Sequence, residues 1–387
     1  MSPAPSPTLV TLLAVGAGLA VAGIYYNQPM LGTLADSLGA SPARIGFIPV
    51  ATQLGYAGGI VLFAPLGDKL DRRKVIVVKA VLLTVALVLA GVAQGVLWLT
   101  AASLAIGLLA TVAQDLVPAA AAVAAPASRG KTVGIVMTGL LLGILLSRVV
   151  SGAVTEYVSW RAVFLGAACV MALFAATAAR VLASFPPTVR ASYVSLLGSM
   201  AALVRDVAPL RRAAMTQGLL SVAFSGFWST LALGLAAPPF GLGSVVAGSL
   251  GIAGAAGAVA APIAGGLSDR RGPTAVIRFG AALTVIAFVG MAVFGRSLVV
   301  LVAGTVVFDL GVQSCLIAHQ TIVYAQDPAA RSRLNAVLVS AMFLGMSSGA
   351  FVASRIFVGF GFSGVCAMGA VAAGGALLLR LLPEAEG

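Results

Sequence analysis

Leu66-Gly67-Asp68-Lys69 and Leu267-Ser268-Asp269-Arg270 are one short phrase written twice, 201 residues apart. Each closes a long apolar run, and each is followed by more cations: Arg72, Arg73 and Lys74 after the first, Arg271 after the second. A carboxylate among cations at the foot of an apolar helix, repeated once per half-chain, implies a duplicated helical membrane protein. Carboxylates placed there can cap a neighbouring helix or pair with nearby arginines. Contacts of that kind, made in one conformation and broken in the other, bias a conformational equilibrium. Asp68, Lys69, Arg72, Asp269 and Arg270 are therefore candidate gating residues, with simple topological anchoring as the alternative.

Composition points the same way. The 387-residue chain is 60% hydrophobic and only 9% charged, with a mean hydropathy of +1.09. A soluble domain is nearer a quarter charged, because water must solvate its surface. Lipid is the expected outer solvent here, and the backbone must then satisfy its hydrogen bonds within helices. Apolar runs of about 20 residues, long enough to cross roughly 30 Å of hydrocarbon, occur at 10–33, 45–66, 75–94, 98–123, 132–154, 160–182, 213–236, 244–266, 275–295, 298–324, 334–354 and 358–382. The predicted fold is an all-α membrane protein of twelve transmembrane helices. The first run has no basic region ahead of it and no small-residue cleavage site, so it reads as a retained span.

The duplication continues beyond its opening phrase. Pro126-Ala127-Ser128-Arg129-Gly130-Lys131 answers to Pro328-Ala329-Ala330-Arg331-Ser332-Arg333 at an offset of 202. Two parallel six-helix repeats are expected, over 1–182 and 213–387, with a binding cavity where they meet near the membrane midplane. Between them, 183–212 opens with Pro186-Pro187. It then carries Tyr193, Leu196, Leu197, Met200, Leu203 and Val204 at helical spacing, flanked by Arg190, Arg205, Arg211 and Arg212. That pattern predicts an amphipathic helix lying on the inner leaflet and tethering the halves.

Charge sets the orientation. With a cytoplasmic N-terminus, 18 of the 23 lysines and arginines fall on the inner side and four outside (Arg44, Arg161, Arg296, Arg355), leaving Arg148 within a helix. The positive-inside rule then puts both termini in the cytoplasm. The net charge of +12 is accounted for by anchoring to anionic lipid, not by nucleic-acid binding. Cys169, Cys315 and Cys366 sit in apolar runs without metal-ligand spacing and read as packing residues. No phosphate-binding Gly-x-x-x-x-Gly-Lys-Ser/Thr stretch occurs, which argues against direct ATP drive. One histidine and scattered aspartates give no catalytic constellation, so neither an enzyme nor a cofactor is expected.

Ionisable and amide groups within the apolar runs are the candidate functional residues, because each is costly in lipid. Asp115 follows Gln114 and precedes Pro118; it reads either as a proton or cation carrier or as a hydrogen-bonded aspartate near the inner mouth. Asp309 is nearer mid-helix, with Gln313 one turn on along the same face. His319 titrates in a range that suits a proton relay, with a structural role standing beside it. Arg148 needs a carboxylate, carbonyls or an anionic substrate. At 1.5 Å of rise per residue, Asp115 is offset from it by about 15 Å, so Asp309 or the substrate is the better partner. Tyr25, Tyr26, Asn27 and Gln28 occupy the outer half of helix 1, and Phe227, Trp228 and Ser229 answer them in helix 7. Aromatics there suit an interface belt, but lipid-facing amides are costly. Glycines 248, 251, 254 and 257 in helix 8, like Gly345 and Gly349 in helix 11, are assigned to close helix packing.

With its paired phrases the chain resembles the major facilitator superfamily, whose loop motif reads Gly-x-Leu-x-Asp-Arg-x-Gly-Arg. Gly265-Gly266-Leu267-Ser268-Asp269-Arg270-Arg271-Gly272 follows it well. Ala64-Pro65-Leu66-Gly67-Asp68-Lys69-Leu70-Asp71-Arg72 departs from it, with Asp71 in place of glycine and Lys69 in place of arginine. Tyr25-Tyr26-Asn27-Gln28-Pro29, Arg129-Gly130 and the stretch from Gly139 through Gly143 to Arg148 resemble bacterial permeases near the drug/proton antiporters. That branch carries Gly-x-x-x-Gly-Pro-x-x-Gly-Gly in helix 5; here Ile144 replaces the proline and Ser147-Arg148 replace the terminal glycines. Ser103 stands where many such antiporters carry a helix 4 arginine.

The resemblance implies a cavity lined by helices 1, 4, 7 and 10, a monomer, and the inner membrane of a bacterium. It implies a secondary transporter that exports a small organic compound in exchange for protons. A proton-coupled importer of an organic anion is the alternative, with Arg148 its main support; a non-transporting membrane sensor is the distant third. Substrate contacts are expected from Tyr25, Tyr26, Asn27, Gln28, Gln114, Arg148, Trp228 and Gln313, and proton coupling from Asp115, Asp309 and His319.

Overall fold

The computed structural model describes residues 6–125, 128–185, 187, 192–254, 266–268, 270–327 and 330–382, without the side chains of residues 64 and 68. Helices account for most of the described chain: α1 (Pro7–Ala22), α2 (Leu31–Ser37), α3 (Pro42–Ile45), α4 (Phe47–Lys69), α5 (Arg72–Gly91), α6 (Val96–Ala110), α7 (Val112–Val123), α8 (Arg129–Tyr157) and α9 (Trp160–Val181) make the first half. The second half holds α10 (Tyr193–Asp206), α11 (Ala208–Trp228), α12 (Leu231–Ala236), α13 (Ser244–Gly254), α14 (Pro273–Phe294), α15 (Leu298–Tyr324) and α16 (Arg331–Leu381). Asp269, Gly257 and the rest of 255–265, Pro186, Arg190, and Pro328-Ala329 lie outside the described residues, as does the Asp68 side chain.

Nine helical stretches among the described residues are long and apolar enough to cross a membrane, and two shorter apolar helices, α1 and α13, accompany them. One of the nine is double. Residues Arg331–Leu381 run for 51 residues, which at 1.5 Å each is more than twice a bilayer's hydrocarbon. Gly361, at φ 62° and ψ −164°, interrupts them, a backbone setting that only glycine adopts without strain. The sequence places this break at 355–357, a turn early, because hydropathy registers Arg355 and not the glycine.

Three predicted continuous spans are interrupted. The first is helical over α1 and α2 but made of turns across 23–30, where Pro29 withholds an N–H and disfavours a helical Gln28. The seventh breaks between α11 and α12 at Ser229-Thr230, and the Thr230 hydroxyl bonds back to Gly226 O at 2.7 Å. The fourth breaks at Thr111, whose hydroxyl bonds to Leu108 O at 2.7 Å.

Packing repeats with the duplication. In the first half α1 packs on α8, α4 on α6 and α5 on α9; in the second, α11 packs on α16, α13 on α15 and α14 on α16. These are the first span on the fifth, the second on the fourth and the third on the sixth, then the same three pairings six spans later. Between the halves, α4 meets α16 and α8 meets α13, again a symmetric pair. The α1–α8 crossing brings Gly18 and Gly143 backbone to backbone, and α11–α16 does the same at Gly218 and Gly345. Close approach of this kind is how membrane helices gain dispersion without a hydrophobic driving force. Large apolar side chains such as Val78, Val85, Leu173 and Ile286 are exposed on the outer faces, as lipid requires.

The predicted linker helix is present as α10, capped by the Ser192 hydroxyl, which accepts from Ser195 N at 3.1 Å. Tyr193 donates to Leu62 O at 2.7 Å, and Met200 is buried. The linker's start is held by Asp71, whose carboxylate accepts from Phe185 N at 3.0 Å and Ser184 Oγ at 2.8 Å. The same Asp71 caps α5 through Arg73 N at 3.0 Å. The Phe185 amide, then the Ser184 hydroxyl and the Arg73 amide, with Lys74 nearby, hold its carboxyl below the usual carboxylate range.

Candidate functional site

A cavity of about 580 Å³ lies between the two halves and is open on the side that carries Arg72 and Arg331. Its walls are mainly apolar, with Met137, Leu140, Phe224, Met342, Phe343 and Met346 among them. Neutral polar groups interrupt them: Tyr56, Gln114, Gln217, Gln313, Gln320 and Asn335. Gln114 donates to Tyr56 Oη at 2.9 Å, which fixes both side chains on one wall.

Toward the open mouth, Lys79 Nζ donates to Asp115 Oδ2 at 2.6 Å, and both side chains are buried. Lys79 was assigned by sequence to the inner surface; it lies two turns inside α5 and reaches the wall of the cavity. Gly67 makes room for this group, since a methyl there would stand 2.8 Å from Asp115 Oδ1 and 3.5 Å from Arg72 Nε. Arg72, Lys79 and Asp115 all line the cavity.

The closed end is built around Arg148. Its guanidinium carbon is 4.5 Å from the centroid of the Tyr25 ring and 4.4 Å from that of Trp228. Arg148 Nε donates to Gln28 Oε1 at 2.9 Å, while Nη2 has no hydrogen-bond partner. Tyr25 also lines the cavity, so one ring separates the open space from the cation. Asp309, 3% exposed, lies within electrostatic reach of Arg148, yet no salt bridge joins them among the described residues. Its Oδ1 is unpartnered, and the Trp228 indole N–H approaches the carboxylate without closing a hydrogen bond.

Helix α13 supplies the space for this cluster. A methyl on Gly251 would meet Arg148 Cβ at 3.0 Å, and one on Gly254 would meet Asp309 Oδ2 at 2.6 Å and Trp228 Cζ2 at 3.3 Å. Arg148 thus stands where a glycine is expected, and glycines on the facing helix accommodate it. On the same closed side Thr33 Oγ1 and Ser244 Oγ are 3.1 Å apart, and Glu156 Oε2 accepts from Val245 N at 2.7 Å. Ser225 donates to Gln53 Oε1 at 3.0 Å, and Ser347 to Val50 O at 3.2 Å, all across the two halves.

The remaining candidates fall elsewhere. Asn27 is buried and donates to Thr52 Oγ1 at 3.0 Å, and Tyr26 is buried away from the cavity. His319 is fully buried against Gln217, with its Nδ1 3.0 Å from Gln217 Oε1, and does not line the cavity. Lys69 ends α4, and Arg270 is exposed. Residues that the sequence did not mark as candidate site residues are Lys79, Tyr56, Gln217 and Gly67. Only Lys79 carried a signal, since it is seven residues past Arg72 on the same helix face.

The sequence profile of the Major Facilitator Superfamily matches residues 13–325. The chain belongs to that superfamily. This superfamily member is 38% identical over 368 residues to the putative uncharacterized transporter YgaY of Escherichia coli (strain K12), covering 95% of this chain and 93% of the relative. It is 32% identical over 368 residues to the probable transporter SCO4007 of Streptomyces coelicolor, covering 95% and 85%. The crystal structure of the nucleoside transporter NupG superposes with a TM-score of 0.79 at 13% identity, over 96% of this chain and 98% of that one. The inward-facing, unoccupied structure of a bacterial homologue of the human lysosomal transporter Spinster gives 0.71 at 15% identity, over 97% and 95%. Those likenesses establish the fold, and the all-helical membrane architecture read from the sequence is the one observed.

Proposed function

We propose that this transporter of the major facilitator kind moves a small organic compound by alternating access, in proton-coupled export, with Asp309 as the coupling carboxylate. The observation that carries the reading is the buried Asp309 facing Arg148 without an ion pair, at the closed end of a cavity between the halves. A carboxylate so placed changes the charge of the closure by one unit when it takes up a proton, and it can do so only when the cavity reaches it. Asp115 is already matched by Lys79, which favours Asp309 for that role. The two halves are taken as 1–182 and 213–387, joined by 183–212. The separate hydrophobic clusters drawn almost wholly from each side support that division. The face with Arg72 and Arg331 is read as cytoplasmic, following the positive-inside rule. The cavity then faces inward, in a chain that acts as a monomer in the inner membrane.

Proton flux in proteoliposomes loaded with a pH dye tests the reading, with lipophilic cations, sugars, amino acids and organic anions added one at a time. A compound-specific pH change present in the wild type and in Lys79→Met/Asp115→Leu, which removes the buried pair as a unit, and lost in Asp309→Asn, is expected. A change retained in Asp309→Asn contradicts the assignment. Arg72, Lys79 and Arg331 on the cavity wall favour a second reading, proton-coupled import of an organic anion. Inward movement of an anion, abolished by neutralising Arg148, distinguishes it.

A further inference from the structure

We propose that Arg148 and Asp309 form the two ends of a recognition site for a small zwitterion, Arg148 taking its carboxylate and Asp309 its ammonium group. The inference rests on the transport reading above for its biological sense, but its geometry stands apart from it.

Both groups are ionisable, both are at least nine-tenths buried, and each carries an atom without a partner: Nη2 of Arg148 and Oδ1 of Asp309. They are close enough to interact electrostatically, yet no ion pair joins them. Two opposite buried charges left in that state forgo the attraction that offsets their desolvation. Either a direct pair or an intervening ligand with charges of both signs restores it. A direct pair is held off by the packing. The guanidinium packs on the rings of Tyr25 and Trp228 and is tied at Nε to Gln28.

The chemistry of the occupant follows. A simple anion satisfies Arg148 and is repelled by Asp309. A simple cation does the reverse. A molecule with a carboxylate and an ammonium a few ångströms apart satisfies both and adds no net charge to a buried site. Arg148 has Nη2 free of a partner, and the planar edge of a guanidinium matches a planar carboxylate. Access comes from the cavity by displacement of Tyr25, the side chain common to the cavity wall and the Arg148 stack.

The test is equilibrium binding to the detergent-purified full-length chain, read as the shift of its thermal unfolding midpoint. The probes are glycine, L-leucine and L-phenylalanine, each beside its deaminated acid and its decarboxylated amine. At least one amino acid is expected to bind about tenfold more tightly than either of its one-charge analogues, the loss of one charged contact being worth at least that factor. Asp309→Asn should bring the amino acid down to the level of its acid. Arg148→Gln should remove acid binding altogether, with Arg148→Lys keeping part of it. Each variant is first shown to elute as a single species; if a single variant does not fold, Arg148→Gln/Asp309→Asn, which removes both charges together, replaces it and should show no preference for the amino acid. An acid or an amine that binds as tightly as its amino acid overturns the proposal, as does the absence of any shift with all three amino acids. Binding with these preferences but without flux in proteoliposomes overturns the transport reading and leaves the site standing.

Discussion

Lys79 Nζ and Asp115 Oδ2 are 2.6 Å apart in a buried pair that joins α5 to α7 on the cavity wall. The Lys79 charge is not stable there without Asp115, because removing the partner of a buried charge leaves it uncompensated, at about 3–5 kcal/mol. Asp115→Asn should lower the unfolding midpoint in detergent strongly. The double variant Lys79→Met/Asp115→Leu should recover most of the loss and should keep transport. A double variant that is folded but silent assigns the pair to the transport cycle instead.

The glycine stripe of α13 makes a steric prediction. Gly248 packs against the Arg148 carbonyl and the Gly152 backbone, so Gly248→Ala has to separate α8 from α13. Overpacking of this order costs about 1–3 kcal/mol. At Gly290, in α14, an added methyl meets nothing within 4 Å, and Gly290→Ala should be neutral or stabilising by up to about 1 kcal/mol. Thermal unfolding of the two variants side by side checks the contrast.

Asp71 gives a pH dependence with a definite sign. Its carboxyl is held low in the folded chain by Phe185 N, Ser184 Oγ and Arg73 N, so the folded state prefers it ionised. The stability it contributes is complete above the unfolded carboxylate value of about 3.9 and is lost as pH falls through the lower folded value. The gap in unfolding midpoint between wild type and Asp71→Ala should therefore be constant from about pH 5 to pH 7 and close below about pH 4. A gap that widens on acidification contradicts the assignment.

The closed side can be locked. Thr33 Oγ1 and Ser244 Oγ, on α2 and α13, are 3.1 Å apart, close enough for the sulfurs of Thr33→Cys/Ser244→Cys to bond with little backbone movement. In a background without Cys169, the exposed native cysteine, oxidation should stop transport and reduction should restore it. Either single variant should be indifferent to oxidant.

Class and span positions were legible because lipid imposes one rule on every exposed residue, and that rule leaves its trace in hydropathy. Most predicted spans follow described helices to within a few residues for that reason. Breaks at Gly23–Met30 and Ser229-Thr230 left no such trace, since an apolar turn sheltered by neighbouring helices looks like an apolar helix. Arg148 announced itself as a buried cation in need of company, and Asp309 as its better neighbour. The aromatic contacts were hidden, because Tyr25, Arg148 and Trp228 are brought together by a turn and two helices drawn from both halves. Lys79 was misplaced for a related reason. A lysine near a helix end reads as a surface anchor until the opposing aspartate, 36 residues away, is seen to meet it.

The clamp on Arg148 has a kinetic corollary. Arg148 and Tyr25 belong to the first half and Trp228 to the second, so parting the halves on the closed side peels one ring from the guanidinium and keeps the other. A desolvated contact of this type is worth about 2 kcal/mol, roughly a thirtyfold weighting of the resting population at tenfold per 1.4 kcal/mol. Idle protein would accordingly dwell with its mouth toward the basic face, and a ligand that takes over Trp228's role at the guanidinium would quicken the turn outward as well as ride on it.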